Sequence, residues 1–170
     1  MSLDDVCVSK VMIRDVKIAH ENDSLQQTCR IMQMNDIGSV IIVSSDKEAE
    51  TIPVGIITER DVVNHIAMDP SRSQLLAREL MVRPLVTISP NTSLRDALRL
   101  IASKNIRRLP VVHDGKLVGI VTDKDIYREI AKSESLISAV VSDDQLMQNI
   151  EQLEQPFVYK LGEILHKRPE

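Results

Sequence analysis

"GIITERDV" (Gly55–Val62) and "GIVTDKDI" (Gly119–Ile126) are one phrase written twice: Gly, two β-branched residues, Thr, two charged residues, Asp, and a final β-branched residue. Outward from it the likeness continues. Met12 lies over Met81, and Asn22, Ser24 and Leu25 lie over Asn91, Ser93 and Leu94, all 69 residues apart. "DIGSVIIV" (Asp36–Val43) then lies over "NIRRLPVV" (Asn105–Val112) at the same spacing. At Gly55 and Gly119 the spacing drops to 64, so the first copy carries five extra residues between Val43 and Gly55. They fall in the polar run "SSDKEAETIP", where the second copy has only "HDGK". A length change confined to a polar connection is what a hairpin loop tolerates.

Each copy predicts the same small αβ unit. An extended stretch comes first, around Val16–Ile18 and Leu85–Ile88. "NDS" and "NTS" then supply helix N-cap residues. In the second helix Leu94, Ala97, Leu98 and Ile101 recur at spacings of three and four, and Leu25, Cys29 and Met32 fill matching places in the first. Two strands follow in each copy, Val40–Val43 with Val54–Ile57 and Leu109–Val112 with Leu117–Val121. Asp114-Gly115 is a tight hairpin signal. The last strand of each copy feeds a helix beginning near Glu59 or Asp123. One such unit cannot bury both faces of its sheet, whereas two packed together can. The boundaries expected are 4–70 for the first repeat, 71–132 for the second and 133–170 for a helical appendage, with Ser71-Arg72-Ser73 in the linker. The appendage shows apolar stripes at Leu146, Ile150 and Leu153, and again at Phe157, Leu161 and Ile164–Leu165 beyond Pro156. These stripes must cover the body of the protein, a second subunit or a partner.

Composition narrows the function. The 170 residues are 27% charged and 43% apolar, in the proportions of a globular protein. A net charge of −4 and only three aromatic residues argue against a nucleic-acid binder. No apolar run is long enough to span a bilayer, and the opening "MSLDDVCVSK" has no apolar core of a secretory signal. Cys7 and Cys29 form no CxxC motif, so a reducing, cytoplasmic setting without disulfides is expected. His20, His65, His113 and His166 are scattered without metal-ligand spacing, and no metal site is expected. Neither a phosphate-binding GxxxxGK[ST] loop nor a GxGxxG motif occurs, and nothing resembles a nucleophile elbow. No enzymatic activity is expected.

Thr-x-x-Asp at a helix start carries two readings. In one, Thr58 and Thr122 are N-caps and Asp61 and Asp125 complete a capping box, an arrangement that contributes about 1 kcal/mol per cap. In the other, the helix N-terminus favours a phosphate, and the carboxylate accepts two hydrogen bonds from a vicinal diol. A nucleotide offers both groups. Duplication does not decide between the two, because a duplicated fold duplicates its caps.

The two phrases, the "KVM" and "ELM" starts and "NIRRLPVVHDGKLVGIVTDKDI" together resemble the CBS (cystathionine-β-synthase) domain. Two in tandem resemble a Bateman module, over Asp4 to Ala131. The resemblance implies an α+β fold: a tandem CBS-domain pair, two pseudo-symmetric αβ repeats packed through small, mostly antiparallel sheets, plus a C-terminal helical tail. It also implies a non-catalytic regulatory module with two clefts that bind adenosine-containing ligands of the AMP, ADP or ATP class and signal by a change of conformation or assembly. Alternatives are an S-adenosylmethionine or dinucleotide sensor, or a structural, oligomerising module with unoccupied clefts. No obligatory cofactor is implied, and a homodimer is expected, with a protein partner for the tail as a further possibility.

Carried over by resemblance, one cleft uses Thr58 and Asp61 with Leu85, Val86, Ile106, Arg107 and Arg108. The other uses Thr122, Lys124 and Asp125 with Val16, Lys17, Ile37, Gly38 and Ser39. The asymmetry is informative: Arg107-Arg108 stands where the first copy has Gly38-Ser39. Alternate residues of a strand face opposite sides, so one arginine is expected to face a cleft. On this grouping the cleft ending in Asp61 is the better anion site.

Overall fold

The computed structural model describes residues 2–44, 52–68 and 74–151. The polar connection of the first hairpin, the Ser71-Arg72-Ser73 linker and the expected apolar stripe from Phe157 to Leu165 lie outside the described residues.

The repeat is visible element by element. Strand β1 (Ile18–His20) is followed by helix α1 (Leu25–Asn35), then strands β2 (Ser39–Val43) and β3 (Pro53–Thr58) and helix α2 (Glu59–Met68). A short helix α3 (Ala77–Leu80) opens the second copy. Helix α4 (Leu94–Lys104), strands β4 (Arg108–His113) and β5 (Lys116–Thr122) and helix α5 (Asp123–Ile130) complete it. Ser24 caps α1 by accepting the Gln27 N–H, and Ser93 caps α4 by accepting the Asp96 N–H. Both helices end on a left-handed residue, Asp36 at φ 51 and Asn105 at φ 50. These are residue types that adopt this conformation at low cost. Caps at both ends thus keep the 69-residue spacing seen in the sequence.

The α1 stripe differs from expectation at one place. Leu25, Thr28 and Met32 are its buried residues, while Cys29 is half-buried. Thr28 stands where α4 has Ala97, and its hydroxyl donates to the Ser24 carbonyl at 3.2 Å, so the buried polar group is satisfied.

Strand β2 runs parallel to β1 and antiparallel to β3, with Ile41 opposite Ile18 and Ile56. All five β2 residues are buried, as a central strand requires. The second copy keeps only the β4–β5 hairpin. Its turn has two positive φ angles, 49 at Asp114 and 77 at Gly115, the conformation that a two-residue connection favours. The stretch Leu85–Ile88, expected to be extended, makes a single parallel bridge from Ile88 to Val111 and no continuous strand.

The chain forms two compact units that do not coincide with the sequence repeats. One contains Met1–Ile13, Ile88–Val111 and Ile120 onward; the other contains Arg14–Thr87 and Val112–Gly119. The cause is an exchange of leading segments. Ile13, at the head of the first repeat, exchanges two backbone hydrogen bonds (2.8 and 2.9 Å) with Ile120 of β5. Val82, at the head of the second, does the same (2.9 and 3.3 Å) with Ile56 of β3. Cys7 likewise bridges Ser93, and Leu76 bridges Ser24. Each compact unit is therefore completed by residues that the sequence assigns to the other copy.

In the Arg14–Thr87 unit, Ala19, Met32, Val40, Ile42, Ile57, Ala77 and Met81 form the core. In the other, Leu3, Val6 and Val8 from the N-terminal segment are as fully buried as Leu94, Leu98 and Ile101 of α4.

The appendage contributes to that second core. It forms α6 (Glu134–Val141) and α7 (Asp144–Glu151), α7 packing on α4 and α6 on α5. Leu136, Val140 and Leu146 are completely buried. Of the stripe expected at Leu146, Ile150 and Leu153, Leu146 is covered by the body of the protein, and Leu153 lies outside the described residues.

Candidate functional site

Both Thr–Asp phrases form reciprocal caps. The Thr58 N–H and hydroxyl donate to Asp61 Oδ2 at 2.8 and 2.6 Å, and the Asp61 N–H returns to Thr58 Oγ1 at 3.4 Å. Thr122 and Asp125 repeat this at 3.0, 2.6 and 3.3 Å. The capping reading is therefore correct as local structure. It does not use up the carboxylates. In each, Oδ2 takes the cap bonds, and Oδ1 takes no part in them. Asp125 Oδ1 has one long contact, 3.5 Å to Arg128 Nη1, whose side chain is largely exposed. Asp125 itself is buried, while Asp61 is half-buried.

The entry of each central strand lies against the cap of its own repeat. The Glu59 N–H donates to the Gly38 carbonyl at 3.2 Å, and the Asp123 N–H donates to the Arg107 carbonyl at 3.1 Å. The resemblance groups Gly38 with Thr122 and Arg107 with Thr58; the backbone bonds add that Gly38 and Ser39 also lie beside the Thr58 helix start, and Arg107 beside the Thr122 helix start. For the extended segments the exchange applies. The Val82–Ile56 pairing leads into half-buried Leu85 and Val86, in the same compact unit as Thr58 and Asp61. The Ile13–Ile120 pairing precedes half-buried Val16 and Lys17, and the Lys17 ammonium pairs with Asp15 at 2.8 Å.

Arg107 is exposed and Arg108 half-buried, as neighbours entering a strand are. Beside them stands a residue that sequence analysis passed over. Asp123 opens α5, and its Oδ1 accepts the Lys124 N–H at 2.8 Å. Burial holds its carboxyl above the usual carboxylate range, opposed by the Lys124 N–H and by the charges of Arg107, Arg108 and Lys124. The Tyr127 phenol is pushed upward by burial and then by the negative charge of Asp123. The signal available in the sequence was the acidic pair at Glu59 and Asp123, one residue after each Thr. Among the described residues, no three or more His, Cys, Asp and Glu side chains gather to hold a metal ion.

The pattern of caps, hairpins and exchanged leading segments is accompanied by a direct match. The family profile described as "CBS domain" fits residues 8–68 and again 77–132. The chain belongs to the CBS-domain family. It is a tandem pair of CBS domains with an additional C-terminal segment.

An uncharacterized protein of Methanopyrus kandleri, MK0525, is 38% identical over 125 residues, which cover 72% of this chain and 62% of that protein. The CBS domain-containing protein YhcV of Bacillus subtilis is 30% identical, covering 79% of this chain and 93% of YhcV. The CBS domain pair of protein MJ0100, solved in complex with 5-methylthioadenosine and S-adenosyl-L-methionine, is 27% identical with a TM-score of 0.66. That likeness covers 75% of this chain and 97% of that one. Some relatives are longer: the chain spans 62% of MK0525 and 32% of the Methanocaldococcus jannaschii protein MJ1404. No helix among the described residues is long and apolar enough to cross a membrane.

Proposed function

We propose that this CBS pair is a non-catalytic, cytoplasmic sensor of adenosine-containing small molecules. The observation that carries the proposal is the pair of caps. Each fixes an Asp carboxylate through Oδ2 and leaves Oδ1 for a ribose diol. Asp61 and Thr58 then act with Gly38-Ser39 and with Leu85-Val86. Asp125, Thr122 and Lys124 act with Ile106, Arg107 and Arg108. This regrouping follows the backbone bonds from Glu59 to Gly38 and from Asp123 to Arg107. It moves the arginine pair, and so the better anion site, from Asp61 to Asp125. The adenosyl ligands of the MJ0100 domain pair support the ligand class, which takes in adenine nucleotides and sulfur-containing adenosyl compounds.

The account includes a homodimer. No residue of α2 is fully buried, and Met34, Val63, Ile66 and Met68 are between 55 and 88% exposed on α1 and α2. In the other repeat α6 and α7 pack on α5 and α4, whereas among the described residues these side chains of the first repeat stand exposed, and this face is the one assigned to a second copy.

Thermal shift tests the proposal with adenosine, AMP, ATP, 5-methylthioadenosine and S-adenosylmethionine, and with cytidine as the control. At least one adenosyl compound should raise the melting temperature, because a ligand held only by the native state stabilises it. Cytidine should not, and the Asp61→Asn/Asp125→Asn protein should lose the response. No shift with any adenosyl compound at millimolar concentration would leave the caps as structure alone, in an oligomerisation module.

A further inference from the structure

The charged cluster at the head of α5 has no equivalent in the first repeat. The Asp123 N–H donates to the Arg107 carbonyl at 3.1 Å, so Asp123 and Lys124 open the helix beside the Arg107-Arg108 strand entry, with Tyr127 one turn further along the helix. The four backbone N–H groups from Thr122 to Asp125 all have acceptors. Asp125 Oδ2 takes the first, the Arg107 carbonyl the second, Asp123 Oδ1 the third and Thr122 Oγ1 the fourth. The third differs from the first, also taken by a carboxylate, in that its acceptor lies outside the Thr–Asp cap and within the electrostatic reach of Arg107 and Arg108. In the first repeat Glu59 replaces Asp123 and Gly38-Ser39 replaces the arginines. Among the described residues, no carboxylate accepts from the Arg60 N–H there.

A phosphate approaching Arg107 and Arg108 therefore meets a negative charge already in place. It must share the arginines with Asp123 or displace it. An uncharged adenosyl group meets no such conflict, and a sulfonium, being positive, is favoured by the same carboxylate. We propose that Asp123 is the specificity-determining residue of the second-repeat adenosyl site, an internal anion that holds down the affinity for nucleoside phosphates relative to uncharged or cationic adenosyl compounds. The inference rests on the adenosyl reading of Asp125, and it adds which members of that class the site admits.

Asp123→Asn tests the inference cleanly. The amide keeps an oxygen that can accept the Lys124 N–H, so the helix start is preserved and only the charge is lost. Removing one charge several ångströms from a phosphate in a partly screened site should tighten AMP binding about 3- to 10-fold. ATP, with more charge, should gain at least as much. Adenosine should bind as before. Asp123→Ser serves as a second variant in case the amide disturbs the turn, and the melting temperatures show that both fold.

Calorimetry with AMP, ATP and adenosine on the wild type and both variants gives the answer. Tighter AMP with unchanged adenosine, the gap narrowing at raised salt, is the expected result. Unchanged AMP, or AMP and adenosine moving together, overturns the role given to Asp123 while leaving the adenosyl site standing. Absence of binding by all three ligands to every protein removes the adenosyl reading and this inference with it.

Discussion

Replacing Asp143 should loosen the C-terminal helices, by an amount that can be assembled from the contacts it makes. Its Oδ1 accepts the Leu146 N–H at 3.0 Å and so caps α7. Its Oδ2 pairs with Arg95 Nη1 and lies 3.6 Å from Arg99 Nη2, both on α4. The Asp143 side chain is 14% exposed and that of Arg95 19%, so this pair is only lightly screened. Loss of the cap costs about 1 kcal/mol. Loss of the charge-assisted bond to Arg95 costs about 1.5–3 kcal/mol. The half-exposed Arg99 adds no more than about 0.5 kcal/mol. Arg95 is not orphaned, because its Nε keeps Asp4 at 3.0 and 3.1 Å, which places the total near the lower end. Asp143→Ala should therefore cost about 2–3 kcal/mol. Asp143→Asn, which keeps a capping oxygen, should cost about 1–2 kcal/mol. Urea unfolding gives the global change, and amide exchange at Leu146 and Met147 gives the local one. If the Ala and Asn proteins are equally stable, the cap contributes nothing. If both match the wild type, burial of Leu146 alone holds α7, and the ionic part of the account is wrong.

Three further outcomes are expected. Gly55→Ala should destabilise by about 1–3 kcal/mol, because a Cβ there would sit 2.6 Å from Met81 Sδ and 2.9 Å from its Cβ; an unchanged urea midpoint would mean that Met81 swings aside freely. Asp123 is protonated more readily in the folded chain than in the unfolded one, so its charge opposes folding above its raised pKa and the penalty disappears below the ordinary carboxylate value. Asp123→Asn should accordingly be more stable than the wild type at neutral pH, with the difference shrinking as pH falls toward 3.8, and melts across that range that show a constant difference would contradict this. Ile66→Asp, at a position 55% exposed in the single chain, should convert a dimer into a monomer by light scattering without lowering the monomer's stability; a dimer that survives it uses another face.

Much of the fold is legible in the sequence because the repeat preserves its punctuation. Ser24 and Ser93 cap their helices, Asp114-Gly115 turns its hairpin, and both Thr–Asp phrases open a helix. These are local effects of one or two residues, and they survive duplication. The exchange of Ile13 and Val82 is not local. A 69-residue offset says which residues correspond, not which copy each one pairs with, so the compact units could not be read from it. The place of the Arg107 backbone beside the α5 start depends on one hydrogen bond at a strand entry, which side-chain chemistry does not announce. Helix α6 falls within the stretch expected to be a helical appendage, and Leu136, Ile137, Val140 and Val141 recur there at helical spacing, but its stripe has no counterpart in the repeats. Leu85–Ile88 has the composition of a strand but gains a single bridging partner, and composition alone does not supply a ladder.

The central claim is that the two capped carboxylates also hold a ribose diol, and the most direct test is calorimetry of adenosine against 2′-deoxyadenosine. The wild type should favour adenosine about tenfold or more, since a hydroxyl-to-carboxylate bond contributes about 1.5–3 kcal/mol. Asp61→Asn and Asp125→Asn should each weaken adenosine at one site, and with both changed the preference should collapse. Equal binding of the two nucleosides by the wild type, or the same preference retained after both substitutions, would contradict the account and leave Asp61 and Asp125 as helix caps alone.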